Sequence, residues 1–246
     1  MTPRRLSLVL ALLALPALAA AQSKSDAFAG KIPPVSGQLF RTTGRVELTL
    51  GAALSLNDAF FTKYFGSAKV TYHLNEFWSV GAYASGGATS PTNSAVLCTS
   101  SEGCSNAGEA LLRQVPGRIS AIVGLEGAWT PVYGKLNVLA EQVGHFDLSI
   151  LAGPDLIFHD EVLSAQDAAI MEASGGSPAS QTAIGGHFGL GARLFLAQWC
   201  ALRLEVKDYV YAVDVPNNGS GSDWQNQLFT ELGFSFFLPT RNRPVR

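Results

Sequence analysis

The chain has 246 residues, with 17 Lys and Arg against 19 Asp and Glu, a formal charge of −2 with neutral His, and 47% hydrophobic residues. The basic residues are scattered rather than gathered into a patch, so the electrostatic footprint of a nucleic-acid partner is missing. Mean hydropathy is +0.19 with 25 Gly and no run long enough for a spanning helix in the body of the chain, so apolar content must enter by alternation.

At the N-terminus, Arg4 and Arg5 precede an apolar run from Leu6 to Leu18, and Ala19-Ala20-Ala21 follows with the small residues of a cleavage site. This is the pattern of a secretory signal peptide over residues 1–21. The run is shorter than the roughly 20 residues that a spanning helix needs. Removing the leader takes away two of the 17 basic residues and leaves a formal charge of about −4. Residues 22–44, with Pro33-Pro34, read as a periplasmic lead-in, extended or partly disordered.

From Arg45 to Ser55, Val46, Leu48, Leu50, Ala52 and Leu54 fall on one face and Glu47, Thr49, Gly51 and Ser55 on the other. A period of two means a strand. The pattern recurs over 64–74, 78–88, 117–129, 145–158, 183–196, 200–213 and 225–238, which makes eight strands. Each meets the 9–11 residues of a tilted membrane strand.

The connections alternate in length. Asn75-Glu76-Phe77 and Ala197-Gln198-Trp199 read as tight turns, and 56–63, 89–116, 159–182 and 214–224 as exterior loops rich in Gly, Ser, Asn, Thr and Pro. The connection 130–144 is long where a short one is expected; a brief helical turn and an extended strand start both fit it. Tyr64, Phe65, Tyr72, Phe77, Trp78, Trp129, Tyr133, Trp199, Trp224, Phe234 and Phe236 fall near strand ends, as interfacial girdles require. The predicted fold is all-β, an eight-stranded antiparallel up-and-down transmembrane β-barrel over 45–238, with a periplasmic tail 239–246. The soluble rival is a β-sandwich, which also carries aromatics near its ends.

With these registers, Glu47, Lys69, Tyr83, Arg118, Glu126, Asp147, His187, Arg193, Arg203, Glu205, Lys207 and Glu231 point into the lumen. Eight strands leave room only for side chains, so charges of both signs are expected to pair as a plugged polar core. The rival is a narrow ion path gated by the same pairs.

Cys98 and Cys104 bracket Thr-Ser-Ser-Glu-Gly in the second exterior loop, and in an exported chain a disulfide is the expected reading. Cys200 is left over as a small apolar filler with no base identifiable near it. His145 and Asp147 lie two apart on one strand face, about 6.5–7 Å, too far for a direct hydrogen bond. His159-Asp160-Glu161 opens the third loop and reads as a solvated surface. There is no Gly-x-Ser-x-Gly elbow and no His-Glu-x-x-His helix. A non-enzymatic protein without nucleotide or metal cofactor is expected.

Asn75-Glu76-Phe77-Trp78, then Trp129-Thr130-Pro131-Val132-Tyr133-Gly134-Lys135-Leu136, then His145-Phe146-Asp147-Leu148, followed by Gly-rich alternating strands, resembles the small outer-membrane β-barrel domain proteins of myxobacteria and related delta-proteobacteria, from about Leu39 to Leu238. Glu231-x-Gly233-x-x-Phe236-x-Leu238 is similar to the C-terminal signal read by the barrel-assembly machinery, here made internal by Pro239 to Arg246. The resemblance implies an integral outer-membrane protein whose partners are membrane lipid, the assembly machinery during biogenesis and envelope proteins met through loops 89–116 and 159–182. A scaffold role leads, with a small pore for ions or hydrophobic solutes as the alternative. Fold alone does not decide between them.

Overall fold

The computed structural model describes residues 40–99, 103–138, 142–216 and 222–239. The leader 1–21, most of the lead-in and the tail from 240 lie outside the described residues. Among the described residues ten strands form: β1 (Val46–Ser55), β2 (Phe61–His73), β3 (Trp78–Pro91), β4 (Val96–Thr99), β5 (Gly103–Asn106), β6 (Ile119–Val138), β7 (Gln142–Asp160), β8 (Ser180–Ala197), β9 (Cys200–Asp214) and β10 (Ser222–Leu238). Two short helices are α1 (Glu109–Leu112) and α2 (Ala165–Ser174).

Eight of the strands close into a barrel in the order β1-β10-β9-β8-β7-β6-β3-β2, with every neighbour antiparallel. The seam runs from Val46 opposite Leu238 to Ser55 opposite Phe229, so the first and last strands satisfy each other's backbone groups and no edge is left open. β4 and β5 form a separate hairpin in the second loop, where Cys98 stands opposite Cys104 and the two are joined by a disulfide.

Alternation holds along the wall. In β9, Arg203, Glu205, Lys207, Tyr209 and Tyr211 are buried inside while Leu204 and Val206 are exposed outside. The outward surface carries Leu50, Val70, Leu125, Ile150, Leu190 and Leu232, all exposed. A soluble barrel would not present so continuous an apolar exterior to water; with the backbone ladder closed, this surface is that of an outer-membrane barrel. Trp78 stacks near Trp129 and Trp199 near Phe236 at the end with short turns, the girdle expected at a headgroup level.

The strands run further than the hydrophobic pattern suggests. β2 begins at Phe61, which moves Lys63 out of the first exterior loop and into the wall, fully buried. β7 continues through His159 and Asp160, so only Glu161 of that triplet lies in the third loop. Of the connection 130–144, residues 130–138 and 142–144 are strand: β6 and β7 keep pairing from Val132 opposite Leu148 to Val138 opposite Gln142, after a register shift between Trp129 and Val132. β3 stops pairing with β6 at Trp129, so this extension projects past the barrel wall with β7 as its partner. The shift absorbs Pro131, which cannot donate to a ladder. Phe65 and Tyr133 leave the girdle list, since Phe65 is buried inside and Tyr133 packs inward at the turn end.

Candidate functional site

Among the described residues, the lumen gathers the largest set of chemistry-bearing side chains. The structure sets Glu47, Lys69, Tyr83, Glu126, Asp147, His187, Arg193, Arg203, Glu205, Lys207 and Glu231 inside the barrel, all buried. Arg118 is the exception among the residues read as lumenal. It precedes β6, is half-buried at the loop end, pairs with Glu109 at 2.7 Å and lies over the Phe61 ring. The reason is that β6 begins at Ile119, two residues later than the pattern implied, so position 118 lies at the rim rather than in the wall.

The charges form layers. Nearest the turn end, Glu47 accepts from Arg193 Nη1 at 2.6 Å and Arg203 Nη1 at 3.0 Å, and its Oε2 lies 2.8 Å from His73 Nε2. Arg193 also grips Asp147, with Nη2 donating at 2.8 Å and Nε at 3.0 Å. This fork-like pairing is the strong form of an ion pair. At mid-height Lys69 Nζ donates to Glu126 at 2.9 Å and to Glu205 at 2.7 Å, and Lys207 Nζ lies 2.9 Å from Glu205 and 3.0 Å from Glu231. Arg203 Nε donates to Glu205 and ties the two layers together. Ser67 Oγ donates to Glu231. Above them, Tyr83 Oη donates to Asp155 at 2.6 Å, and His187 Nδ1 lies 2.9 Å from the same carboxylate.

Local register explains why these groups meet. Long side chains converge because small ones stand beside them: Gly189 faces Lys207 and Gly191 faces Glu205 across the β8–β9 ladder. A Cβ at Gly124 would lie 2.0 Å from Asp155 Oδ1 and 2.9 Å from the Tyr83 ring, so that glycine makes room for the Tyr83–Asp155 contact. Two directly paired positions carry like charges, Arg193 opposite Arg203 and Glu205 opposite Glu231, while Arg193 stands opposite Asp147 on its other side. Further opposite partners come from elsewhere around the barrel, such as Glu47 on β1 and Lys69 on β2.

Both ends of the lumen are covered. At the turn end Phe40 stacks on Phe195 with centroids 5.0 Å apart and packs with Phe237 and Ala201, beside Tyr133, whose hydroxyl lies 2.8 Å from His145 Nδ1. The segment leading into β1 is pinned by Glu76, which accepts from Thr43 Oγ1 at 2.6 Å and from the Thr42 N–H at 3.1 Å. Burial pushes the Glu76 carboxyl up, but the hydrogen bonds from Thr42 and Thr43 outweigh it and hold it below the ordinary glutamate value. Arg45 donates to the carbonyls of Gln198 and Pro239, both at 2.7 Å, so one guanidinium joins the start of β1 to the last turn and the end of β10. Toward the loop end an apolar cluster including Phe65, Tyr83, Ile122, Ile157, Tyr209, Tyr211 and Phe229 fills the lumen, Phe61, Ala95 and Leu112 pack together, and buried Lys63 is held by Asp58 and by Gln227 Oε1 at 2.7 Å.

Pattern reading alone did not single out Lys63, Asp58, His73, Asp155, Gln227 or the Phe40 plug. Asp155 and His73 sit at inward positions of alternating strands and could have been found by extending the period; Phe40 and Asp58 lie outside any strand and carried no signal. Cys200 is buried as a free thiol at the start of β9. Among the described residues no group of three or more His, Cys, Asp or Glu is arranged to hold a metal ion.

No family model matches the chain, and no curated protein matches it. Among solved structures, the N-terminal β-barrel domain of Pseudomonas aeruginosa OprF is similar over 80% of this chain and 98% of its own, at 9% identity and a TM-score of 0.47. Ail, the attachment invasion locus protein of Yersinia pestis, is similar over 80% of this chain and 99% of its own, at 11% identity and a TM-score of 0.37. OprG from P. aeruginosa covers 80% of this chain and 97% of its own, at 13% identity and a TM-score of 0.37. The membrane assignment therefore rests on this barrel's own apolar surface and closed ladder.

Proposed function

We propose that this protein is a non-enzymatic integral outer-membrane barrel with an envelope-structural or surface-complex scaffold role. The observation that carries the reading is the lumen: buried cations and carboxylates pair across it in consecutive layers, with an aromatic plug below and a buried apolar cluster above. A conducting path would need charged groups that let an ion enter and leave, whereas here they hold one another. Function then falls to the exterior loops. Residues 92–118 carry the stapled β4–β5 hairpin and residues 161–179 carry α2, whose Ile170 is exposed beside the similarly exposed Leu111. These loops are the proposed contact surface for an envelope partner.

In the same reading, residues 1–21 are the cleaved export signal and Glu231, Gly233, Phe236 and Leu238 are what the barrel-assembly machinery recognises. Their place on β10, the strand that closes the seam, supports that role. The resemblance to the myxobacterial small-barrel proteins belongs to this proposal too. The test is planar-bilayer recording on protein whose heat-shifted gel migration shows a folded barrel. Silent membranes are expected; discrete conductance steps altered by Arg203→Gln or Lys207→Gln would replace the scaffold with the small pore. Deleting the two long loops should leave insertion intact and abolish partner capture.

A further inference from the structure

His159 opens the triplet His159-Asp160-Glu161 at the loop end of β7 and is only 7% exposed. The wall forks beside it. Pairing between β8 and β9 ends at Gly185 opposite Tyr211, while β8 stays with β7 as far as Ser180 opposite Asp160 and β9 stays with β10 as far as Asp214 opposite Ser222. The two ladders therefore part over their last residues, and the gap holds a cavity of about 190 Å³. At about 30 Å³ for each water in the liquid, that is room for about six waters or one small organic molecule.

The polar side chains that line the cavity are His159, Glu161, Gln181, Thr182 and Asp214. Glu161 and Asp214 bring two carboxylates, and among the described residues no Lys or Arg lines it. The cations of the loop end are engaged elsewhere: Arg113 and Arg118 lie 3.6 and 2.7 Å from Glu109, and Lys63 is held by Asp58 and Gln227. His159 Nδ1 lies 2.9 Å from the Asp160 carbonyl, and a carbonyl only accepts, so Nδ1 carries a proton and donates it. In the neutral ring Nε2 is then an acceptor, and it has no protein partner among the described residues. A buried ring fixed through one nitrogen thus offers the other to a cavity that holds two acids. Among the described residues no three ligands are arranged for a metal ion, and the space is larger than a bare ion fills.

We propose that this cavity is a binding site for a small hydroxylated primary amine, of the amino-alcohol or amino-sugar class. The ammonium group is held by Glu161 and Asp214 through charge-assisted hydrogen bonds. A hydroxyl donates to His159 Nε2, while Gln181 and Thr182, each able to donate and to accept, meet the remaining polar surface. Two carboxylates without a cation select a positive ligand, and the unpaired imidazole acceptor selects one that also carries a hydroxyl. In an outer-membrane barrel the long-loop end faces the external medium, so the ligand reaches the site from outside. This binding role lies beyond the scaffold reading and does not depend on it.

The experiment follows the ring-nitrogen resonances of the four histidines by NMR in the barrel folded into neutral detergent micelles, with the His159 signal assigned by its absence from His159→Gln. Ethanolamine is the probe, ethylene glycol its uncharged counterpart and ethylamine the amine without a hydroxyl, each titrated in the millimolar range. The His159 signal is expected to move and saturate with ethanolamine, to respond more weakly to ethylamine and to stay still with ethylene glycol. Asp214→Asn and Glu161→Gln should each weaken ethanolamine binding about threefold, and together about tenfold. Asp223→Asn, at a loop-end acid that does not line the cavity, should bind as the parent does. Heat-shifted migration confirms that each variant is a folded barrel. An unmoved His159 signal, an equal response to ethylene glycol, or equal weakening by Asp223→Asn would overturn the proposal. So would a shift produced by calcium chloride in place of the ethanolamine one, which would assign the two acids to a metal. Bilayer conductance plays no part in this readout, so its failure is separable from that of the scaffold reading.

Discussion

Replacing Glu47 by Gln strikes the residue on which the lower lumen converges. Glu47 is completely buried and is shared by Arg193 at 2.6 Å, Arg203 at 3.0 Å and His73 at 2.8 Å. Glutamine matches its size but removes the charge and turns an N–H₂ group toward two guanidinium ions. Breaking a buried ion pair by removing one partner costs about 3–5 kcal/mol. Arg193 keeps Asp147 and Arg203 keeps Glu205, so the lower end applies, about 3 kcal/mol, or a change of about a hundredfold in the unfolding equilibrium. Urea unfolding in vesicles, followed by the fluorescence of the four tryptophans, should show a lower midpoint with an unchanged slope. Combining Glu47→Gln with Arg203→Leu should cost less than the sum of the two single changes, because the residues share one network. If Glu47→Gln unfolds within about 0.5 kcal/mol of the parent, the lumenal charges are individually solvated. The closed-network argument would then fail, and the sealed lumen with it.

Gly124→Ala should reduce the folded fraction seen by heat-shifted migration and cost about 1–3 kcal/mol, since the new methyl would overlap the Asp155 carboxylate and force it off Tyr83; a variant as stable as the parent would show that Tyr83 and Asp155 can separate freely. Phe40→Ala removes the stacked ring over Phe195 and should cost about 2–4 kcal/mol in the same urea titration. The hydrogen bonds to Glu76 stabilise its ionised form, so their contribution is present above the unfolded glutamate value near pH 4.3 and is lost as pH falls through the lower folded value. Glu76→Gln should therefore lower stability by no more than about 1 kcal/mol at pH 7, given its partial exposure, and by progressively less as pH falls below the unfolded glutamate value; an equal loss at every pH would refute the charge dependence. Reducing Cys98–Cys104 should expose residues 92–118 to protease while the barrel's urea midpoint stays unchanged, because the bridge closes a local hairpin and not the wall.

Alternation told which face of each strand meets lipid because side-chain direction in a strand depends only on position along it. Val46 to Ser55 and Cys200 to Val213 could be read without knowing their neighbours, and with them the inward placing of Glu47, Arg203, Glu205 and Lys207. Strand ends were less legible. Lys63 looked like loop because only its pairing with Asp58 and Gln227, distant in sequence or outside the strand, gives a buried lysine at that position reason to stay in a wall. Residues 130–138 looked irregular because Pro131 breaks the period, and pairing with β7 restores it after the register shift. Which charges hold which was decided by closure alone. Glu47 and Arg193 are 146 positions apart and meet because β1 seals against β10, bringing the first strand across the lumen from β8. Local chemistry thus determined a membrane barrel with a charged interior, while the pairing that seals it depended on barrel register and closure, which no local pattern encodes.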